Sequence, residues 1–298
     1  MTKVLALDIG GTNSRIALIE FNKNKYKFLD EKIYPTKNIN KFEDIFSYFG
    51  HNAESACIGF AGPVTGNKAK LTNANLSIDV KRLKKKTGIK KISLINDFHA
   101  NGYCINYLKK KDTLSLNKGS LKNNVIMVIG PGTGLGKAYV INDIPYPCES
   151  GQTTLGIENE DEYKILKHLN KKNKYVYYEN VLSGKGISEL YEFYSGKKNI
   201  DPRIITDLKD KNAKKTLSTF TKFFARFTRD SALSLISCEV YLMGGITTAI
   251  PDYLKREFMT EFLKHRNYTH LLKKIKVKAV LNKDAGLIGA GVHARELL

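Results

Sequence analysis

LALDIGGTNSRIALI, residues 5 to 19, sets an acidic residue and two glycines between two apolar runs that alternate as strands do. It reads as strand, glycine turn, strand. The carboxylate is the anomaly. Asp8 stands inside the apolar run VLALDIG (4 to 10), and burying a charge there is costly unless it is paired or faces water or a metal ion.

Working outward, RIALIEF and YKFLDEKIYP extend the pattern into a three-strand meander that turns through Gly10-Gly11-Thr12-Asn13 and Asn22-Lys23-Asn24. A short helix FEDIFSYF follows, then a buried strand ACIGFAG (56 to 62), a helix IDVKRLKKKT stopped by Gly88, and a strand KISLIND (91 to 97) feeding a helix to Leu108. The polar stretch KKKDTLSLNKGSLKNN (109 to 124) reads as a connection. A second unit opens with NVIMVIGPGTGLGKAYVI (124 to 141). Helices are expected around 160 to 169, 184 to 195, 213 to 236 and 250 to 265, with strands at 239 to 245 and 274 to 281 and a last helix GLIGAGVHARELL.

The opening stretch has an echo. LALDIGGTNSRIALI and IMVIGPGTGLGKAYVI superimpose at a shift of 121 residues, which places Gly11-Thr12 on Gly132-Thr133 and Ala17 on Ala138. Asp8 falls on Ile129, so two units of one design are expected, and only one carries the charge. GPGTGLGKA (130 to 138) is neither a Walker loop, which needs glycine at Pro131 and a hydroxyl at Ala138, nor a dinucleotide fingerprint, which must open a helix. What remains is a hairpin whose amides can nest an anion, with the Thr133 hydroxyl as a further donor. Two such turns, one with a carboxylate, suggest a two-sided phosphate clamp. Asp8 then serves a Mg²⁺ ion held through its water shell, or more simply caps the turn through the Gly10 or Gly11 amide.

LINDFHANGY (94 to 103) ends a buried strand and starts a helix. Asp97 there can cap the helix, accept a hydroxyl proton during phosphoryl transfer, or do both, while Asn96 can donate to and accept from a sugar hydroxyl. CESGQTTLG (148 to 156) and YENVLSGKGISELY (178 to 191) place Glu149 and Glu179 among small residues, suited to polyols or to plain surface. VYLMGGITTAI (240 to 250) is a strand, a Gly244-Gly245 turn and a helix start, a simple connection or a place for close ligand approach.

Bulk properties fit a folded globular chain of 298 residues, 42% apolar, with four scattered cysteines and no CxxC pair, as expected in a reducing cytosol. No secretory signal or membrane-length apolar run is found. The net charge of +20 is spread in short lysine groups at apparent helix ends and reads as a solvated basic surface that attracts anionic substrates, so neither nucleic acid nor a membrane is expected as a partner.

In order, LALDIGGTNSRIAL, GFAGPVTG, LTNANLSID, LINDFHANGY, VIGPGTGLGKAYV, ESGQ, ENVLSGKGISELY, YLMGGI and DAGLIGAG resemble the bacterial-type glucokinase family of the hexokinase and actin-like ATPase superfamily, across nearly the whole chain. The resemblance implies an α/β protein of two actin-like (ribonuclease H-like) domains with a mixed sheet in each and a cleft between them. The small domain is 1–110, joined by the C-terminal helix 285–298, and the large domain is 111–284. It implies ATP and Mg²⁺ as cofactors, glucose as phosphoryl acceptor, a cytoplasmic location and a homodimer. By it, Asp8, Gly10, Gly11, Thr12 and Asn13 form the first phosphate motif, with Asp8 on the metal. Gly132, Thr133 and Gly134 form the second, and Gly244-Gly245 the adenosine motif. Asp97 is the catalytic base, and Asn96, Glu149, Gln152 and Glu179 hold the sugar. The family usually has Gly-Gly-His after the first glutamate, whereas this chain has Ser150-Gly151-Gln152, which opens a broader hexose or amino-sugar range. A sugar-sensing protein without catalysis is disfavoured by the presence of Asp8, Asp97 and both hairpins.

Overall fold

The computed structural model describes residues 1–23, 25–39, 42–50, 52–71 and 76–298; Asn24 of the second expected turn and residues 72–75 of the LTNANLSID motif lie outside them. The chain divides into two compact units. One comprises Met1–Lys110, Asp143–Pro147 and Asn282–Leu298, the other Lys111–Asn142 and Cys148–Leu281. No described helix is long and apolar enough to cross a membrane.

In the first unit β1 (Thr2–Ile9), β2 (Asn13–Asn22) and β3 (Lys25–Pro35) form the expected antiparallel meander, followed by helix α1 (Phe42–Gly50). Strand β4 (Ser55–Phe60) is buried at every residue and lies parallel to β1, as a strand covered on both faces must. Three short strands, β5 (Val64–Thr65), β6 (Lys68–Leu71) and β7 (Leu76–Asp79), make a small separate sheet. Helix α2 (Val80–Thr87) starts later than the sequence suggests. Asp79 is its cap, accepting from the amides of Lys81 and Arg82, and Gly88 ends it at φ 75°. Strand β8 (Lys91–Asn96) pairs parallel to β4 and leads into α3 (Asp97–Tyr103), so the mixed sheet runs β3-β2-β1-β4-β8. The C-terminal helix, Ala285–Glu296, packs closely on α3: a Cβ at Gly289 would collide with the Ala100 carbonyl.

The second unit holds a correction. Residues 109–124 do not form a bare connection, because β9 (Thr113–Asn117) within them is a strand. Its flanking lysines and polar residues are those of a sheet edge, which is why the pattern reads as loop. Strands β10 (Val125–Pro131) and β11 (Leu135–Ile141) form the second glycine hairpin; β12 (Ile144–Cys148) follows in the chain and, up to Pro147, belongs to the first unit. Helices α4 (Glu160–Asn170), α5 (Gly184–Ser195), α6 (Pro202–Asp207) and α7 (Lys211–Ser234) precede β13 (Glu239–Leu242), α8 (Gly245–Ala249) and β14 (Lys276–Val280). The order β11-β10-β13-β14-β9 is parallel at its centre and antiparallel at its edges. The helix expected over 250 to 265 is broken by a π turn at Leu254–Phe258. Phe220, Phe223, Phe224, Phe258 and Phe262 fill the core beneath α7. Within it Arg226 is held by Glu162 through two hydrogen bonds of 2.9 and 2.7 Å, so its charge is buried with a partner.

The echo between the hairpins is imperfect. Ile9 pairs with Ser14 across a turn of Gly10, Gly11, Thr12 and Asn13, whereas Pro131 pairs with Leu135 across Gly132, Thr133 and Gly134. The second turn is one residue tighter, so Asp8 faces Arg15 while Ile129 faces Lys137.

Candidate active site

In the first unit the chemistry gathers at the C-terminal ends of the parallel strands. Asp8 is in register with Gly59 of β4, and Gly59 with Ile95 of β8, so Asn96 and Asp97 lie just beyond Ile95, two strands from Asp8. Strands are spaced about 4.8 Å apart, which puts the two acids' strands about 10 Å apart. A Cβ at Gly59 would lie 3.9 Å from the Asp97 Cα, so glycine leaves the intervening strand bare beside it.

Among the described residues Asp8 makes no hydrogen bond to the Gly10 or Gly11 amide. The Gly10 amide donates instead to the Asn13 carbonyl at 3.0 Å. The turn is fixed from outside by Thr36, whose hydroxyl donates to the Gly10 carbonyl at 2.7 Å, whose amide donates to the Thr12 carbonyl, and whose Oγ1 lies 2.9 Å from the Ser14 hydroxyl. Thr12 and Asn13 at the tip remain exposed. The Asp8 carboxylate lies against the first turn of the C-terminal helix, since a Cβ on Gly286 would come within 2.7 Å of its Oδ2. Burial pushes the Asp8 carboxyl upward, and the nearby Arg15 only partly offsets this. Arg15 is committed elsewhere: its Nη2 donates to Glu31 at 2.5 Å and to Asp284 at 2.6 Å. Asp8 is therefore a desolvated carboxyl with little neutralising charge beside it. As a hard oxygen donor beside a turn of small residues, it fits Mg²⁺ bound through water.

At the other acid, Asn96 is the helix cap. Its Oδ1 accepts from the Phe98 amide at 2.8 Å and the His99 amide at 3.3 Å. The role open to Asp97 in the sequence thus falls to its neighbour, which has extended φ −64°, ψ 149°. Asp97 becomes the first helical residue, with one oxygen 2.9 Å from the Phe98 amide. Behind it His99, Tyr103 and His293 stack, with ring centroids 5.5 and 4.7 Å apart along the series. Burial, then His99, drives the His293 imidazole down to about 4.

In the second unit the segments predicted to bind phosphate, sugar and adenosine touch one another. Gly132 donates to the Gly134 carbonyl at 2.7 Å, and its own carbonyl accepts from the Gly184 amide at 2.8 Å. Glu179 reaches the other leg of the turn. Its Oε2 accepts from the Leu135 amide at 2.8 Å, and its Oε1 accepts from the Gln152 side-chain amide at 3.0 Å. Glu149 is exposed and opens the short turn Ser150–Gln152, its carbonyl accepting from the Gln152 amide at 3.1 Å. Gly244, at φ 94°, packs against the hairpin: a Cβ there would stand 2.7 Å from the Pro131 carbonyl. Gly245 opens α8.

Each unit thus brings its own expected residues together. Three residues that sequence reasoning missed are Thr36, Gly286 and Leu135. Gly286, inside DAGLIGAG, and Leu135, inside VIGPGTGLGKAYV, carried a signal, whereas Thr36 carried none.

The chain is a phosphotransferase of the hexokinase type, as its similarities show. The family model described as Glucokinase matches residues 5–297. A glucokinase of Nostoc sp. is 31% identical, with all of this chain and all of that one covered. The crystal structure of a glucokinase from an Antarctic psychrotroph is 26% identical, with TM-score 0.85 and 99% of each chain covered. In fold the chain is also similar to a ROK family glucokinase from Streptomyces griseus solved with glucose and AMPPNP, at TM-score 0.72, 17% identity and 99% of each chain. The chain belongs to the glucokinase family.

Proposed function

We propose that the protein transfers the γ-phosphoryl group of ATP to the 6-hydroxyl of glucose, on an actin-like ATPase fold and in the cytoplasm. The observation that carries this reading is the edge formed by β1, β4 and β8, where Asp8, the Gly10–Asn13 turn and Asp97 lie on neighbouring strand ends. Asp97 accepts the proton of the 6-hydroxyl as the new P–O bond forms and the bond from the γ-phosphorus to the oxygen leaving with ADP breaks. Asn96 has its Oδ1 engaged in capping and offers its Nδ2 to a sugar hydroxyl. Glu149, Gln152 and Glu179 accept from the remaining hydroxyls. The amides of Gly11, Thr12, Asn13, Gly132, Thr133 and Gly134 receive the phosphates, and Gly244-Gly245 lets the adenosine approach the backbone. Asp8 would hold a Mg²⁺ ion through water, and the ion would supply neutralising charge for the phosphates.

A coupled assay with ATP and Mg²⁺ across a panel of hexoses tests the reading. Glucose is expected to turn over fastest, and no turnover with any hexose overturns it. A broader hexose or amino-sugar range is a second reading. Gln152 directs its amide N–H at Glu179, which leaves its carbonyl oxygen to accept from a hydroxyl or an ammonium group. Comparable rates with glucosamine in the same panel would favour it.

A further inference from the structure

We infer that Glu179 is a latch on the phosphate hairpin as well as a sugar ligand, so that the acceptor and the nucleotide bind with coupled affinities. The inference rests on the proposed function and deepens it. The turn Gly132-Thr133-Gly134 is held on its two legs by one segment, 178–184, through two different kinds of bond. On the first leg the bond joins backbone to backbone, from the Gly184 amide to the Gly132 carbonyl at 2.8 Å. No ligand can easily change such a bond without unwinding the start of α5. On the second leg the bond is made by a side chain, from the Leu135 amide to Glu179 Oε2 at 2.8 Å. The other oxygen of the same carboxylate accepts from Gln152 at 3.0 Å. One carboxylate therefore joins the sugar-facing turn at Gln152 to the β10–β11 hairpin.

Gly134 shows how tightly this latch is closed. A Cβ there would stand 2.6 Å from Glu179 Oε2 and 3.3 Å from its Cδ. Glycine at this position leaves room for the carboxylate, and its φ lies outside the left-handed region, so backbone strain does not explain it. Freed from Glu179, the Leu135 amide loses a charge-assisted partner and the tip carrying Thr133 loses its fixed orientation. A sugar hydroxyl donating to Glu179 bridges the carboxylate further and locks it in place, which raises affinity at the hairpin; by linkage, nucleotide at the hairpin raises affinity for the sugar. Glu179 acts on the nucleotide as a positioning residue.

The test measures binding of glucose and of a non-hydrolysable ATP analogue separately, by calorimetry, with a thermal melt as fold control. Gly134→Ala displaces the end of a flexible side chain rather than backbone, so it should fold. It is expected to weaken analogue binding about tenfold and glucose binding by a similar factor. Glu179→Ala should do the same. Glu179→Gln keeps an acceptor for Leu135 and can pair amide to amide with Gln152, so it should weaken glucose while leaving the analogue within about twofold. In the wild type, glucose should tighten the analogue several-fold, and Glu179→Ala should abolish that gain. Unchanged analogue binding in Gly134→Ala and Glu179→Ala overturns the latch, as does equal loss of the analogue in Glu179→Gln. If the wild type binds neither glucose nor the analogue, the failure belongs to the proposed function.

Discussion

In the β1–β2 hairpin the turn is held by a neutral threonine hydroxyl and the charge sits on the strand itself, at Asp8; in the β10–β11 hairpin the strand position is the fully buried Ile129 and the charge comes from outside, at Glu179. Both are strand, glycine turn, strand, and both leave a threonine exposed at the tip. The difference lies in where a carboxylate can be tolerated. Asp8 lies against the first turn of the C-terminal helix, whose N-terminal dipole favours a negative charge, whereas Ile129 is fully buried. One architecture therefore yields one cradle with its carboxylate on the strand, proposed to hold a metal, and one whose carboxylate comes from a neighbouring segment.

Exchanging the charges breaks this comparison most severely. Asp8→Asn removes the anion proposed to hold Mg²⁺ and should lower kcat about a thousandfold, equivalent to about 4 kcal/mol of barrier. Because burial raises the Asp8 carboxyl, the charged form destabilises the metal-free fold at neutral pH, so the same variant should melt at a higher temperature without Mg²⁺. A lower melting point would contradict the account of Asp8. The converse, Ile129→Asp, places an unpaired carboxylate at a fully buried site and should cost about 3 kcal/mol or more, visible as a large fall in the urea midpoint.

The pH dependence sharpens the contrast in the first unit. His293 lies near the far end of the helix whose first turn supports Asp8. Its folded value of about 4 is below the ordinary 6.5, so the unfolded chain takes up a proton first. Its contribution to stability is intact above about pH 6.5 and declines as the pH falls toward 4, by up to about 3 kcal/mol before discounting for partial exposure. Replacing it with Gln should flatten melting temperature against pH over that window; an unchanged slope would exclude His293 as the cause. The smallest effect is expected for Thr36→Val, which removes the hydroxyl clamp from the Gly10 carbonyl. A loss of about 1 kcal/mol and a raised KM for ATP with kcat nearly kept would follow, measured by denaturation and steady-state kinetics.

The sequence made the hairpins visible because glycine turns between alternating apolar runs are local signals, and Asp8 stood out because a charge in such a run breaks the pattern. The edge strand β9 was hidden by the lysines that flank it. The cap at α3 was ambiguous because Asn96 and Asp97 are adjacent and either can cap; only the backbone angles decide. Thr36 lies 26 residues from the carbonyl it holds, and Glu179 44 residues from the amide it holds, separations at which no local pattern operates.

The central claim is that Asp97 takes the proton from the sugar hydroxyl, and Asp97→Ala tests it most directly, with turnover and glucose binding measured on the same preparation. The account predicts a fall in kcat of about a thousandfold, with glucose affinity held within a few-fold and the melting curve retained. Turnover close to that of the unaltered protein, with ATP, Mg²⁺ and glucose saturating, would contradict it.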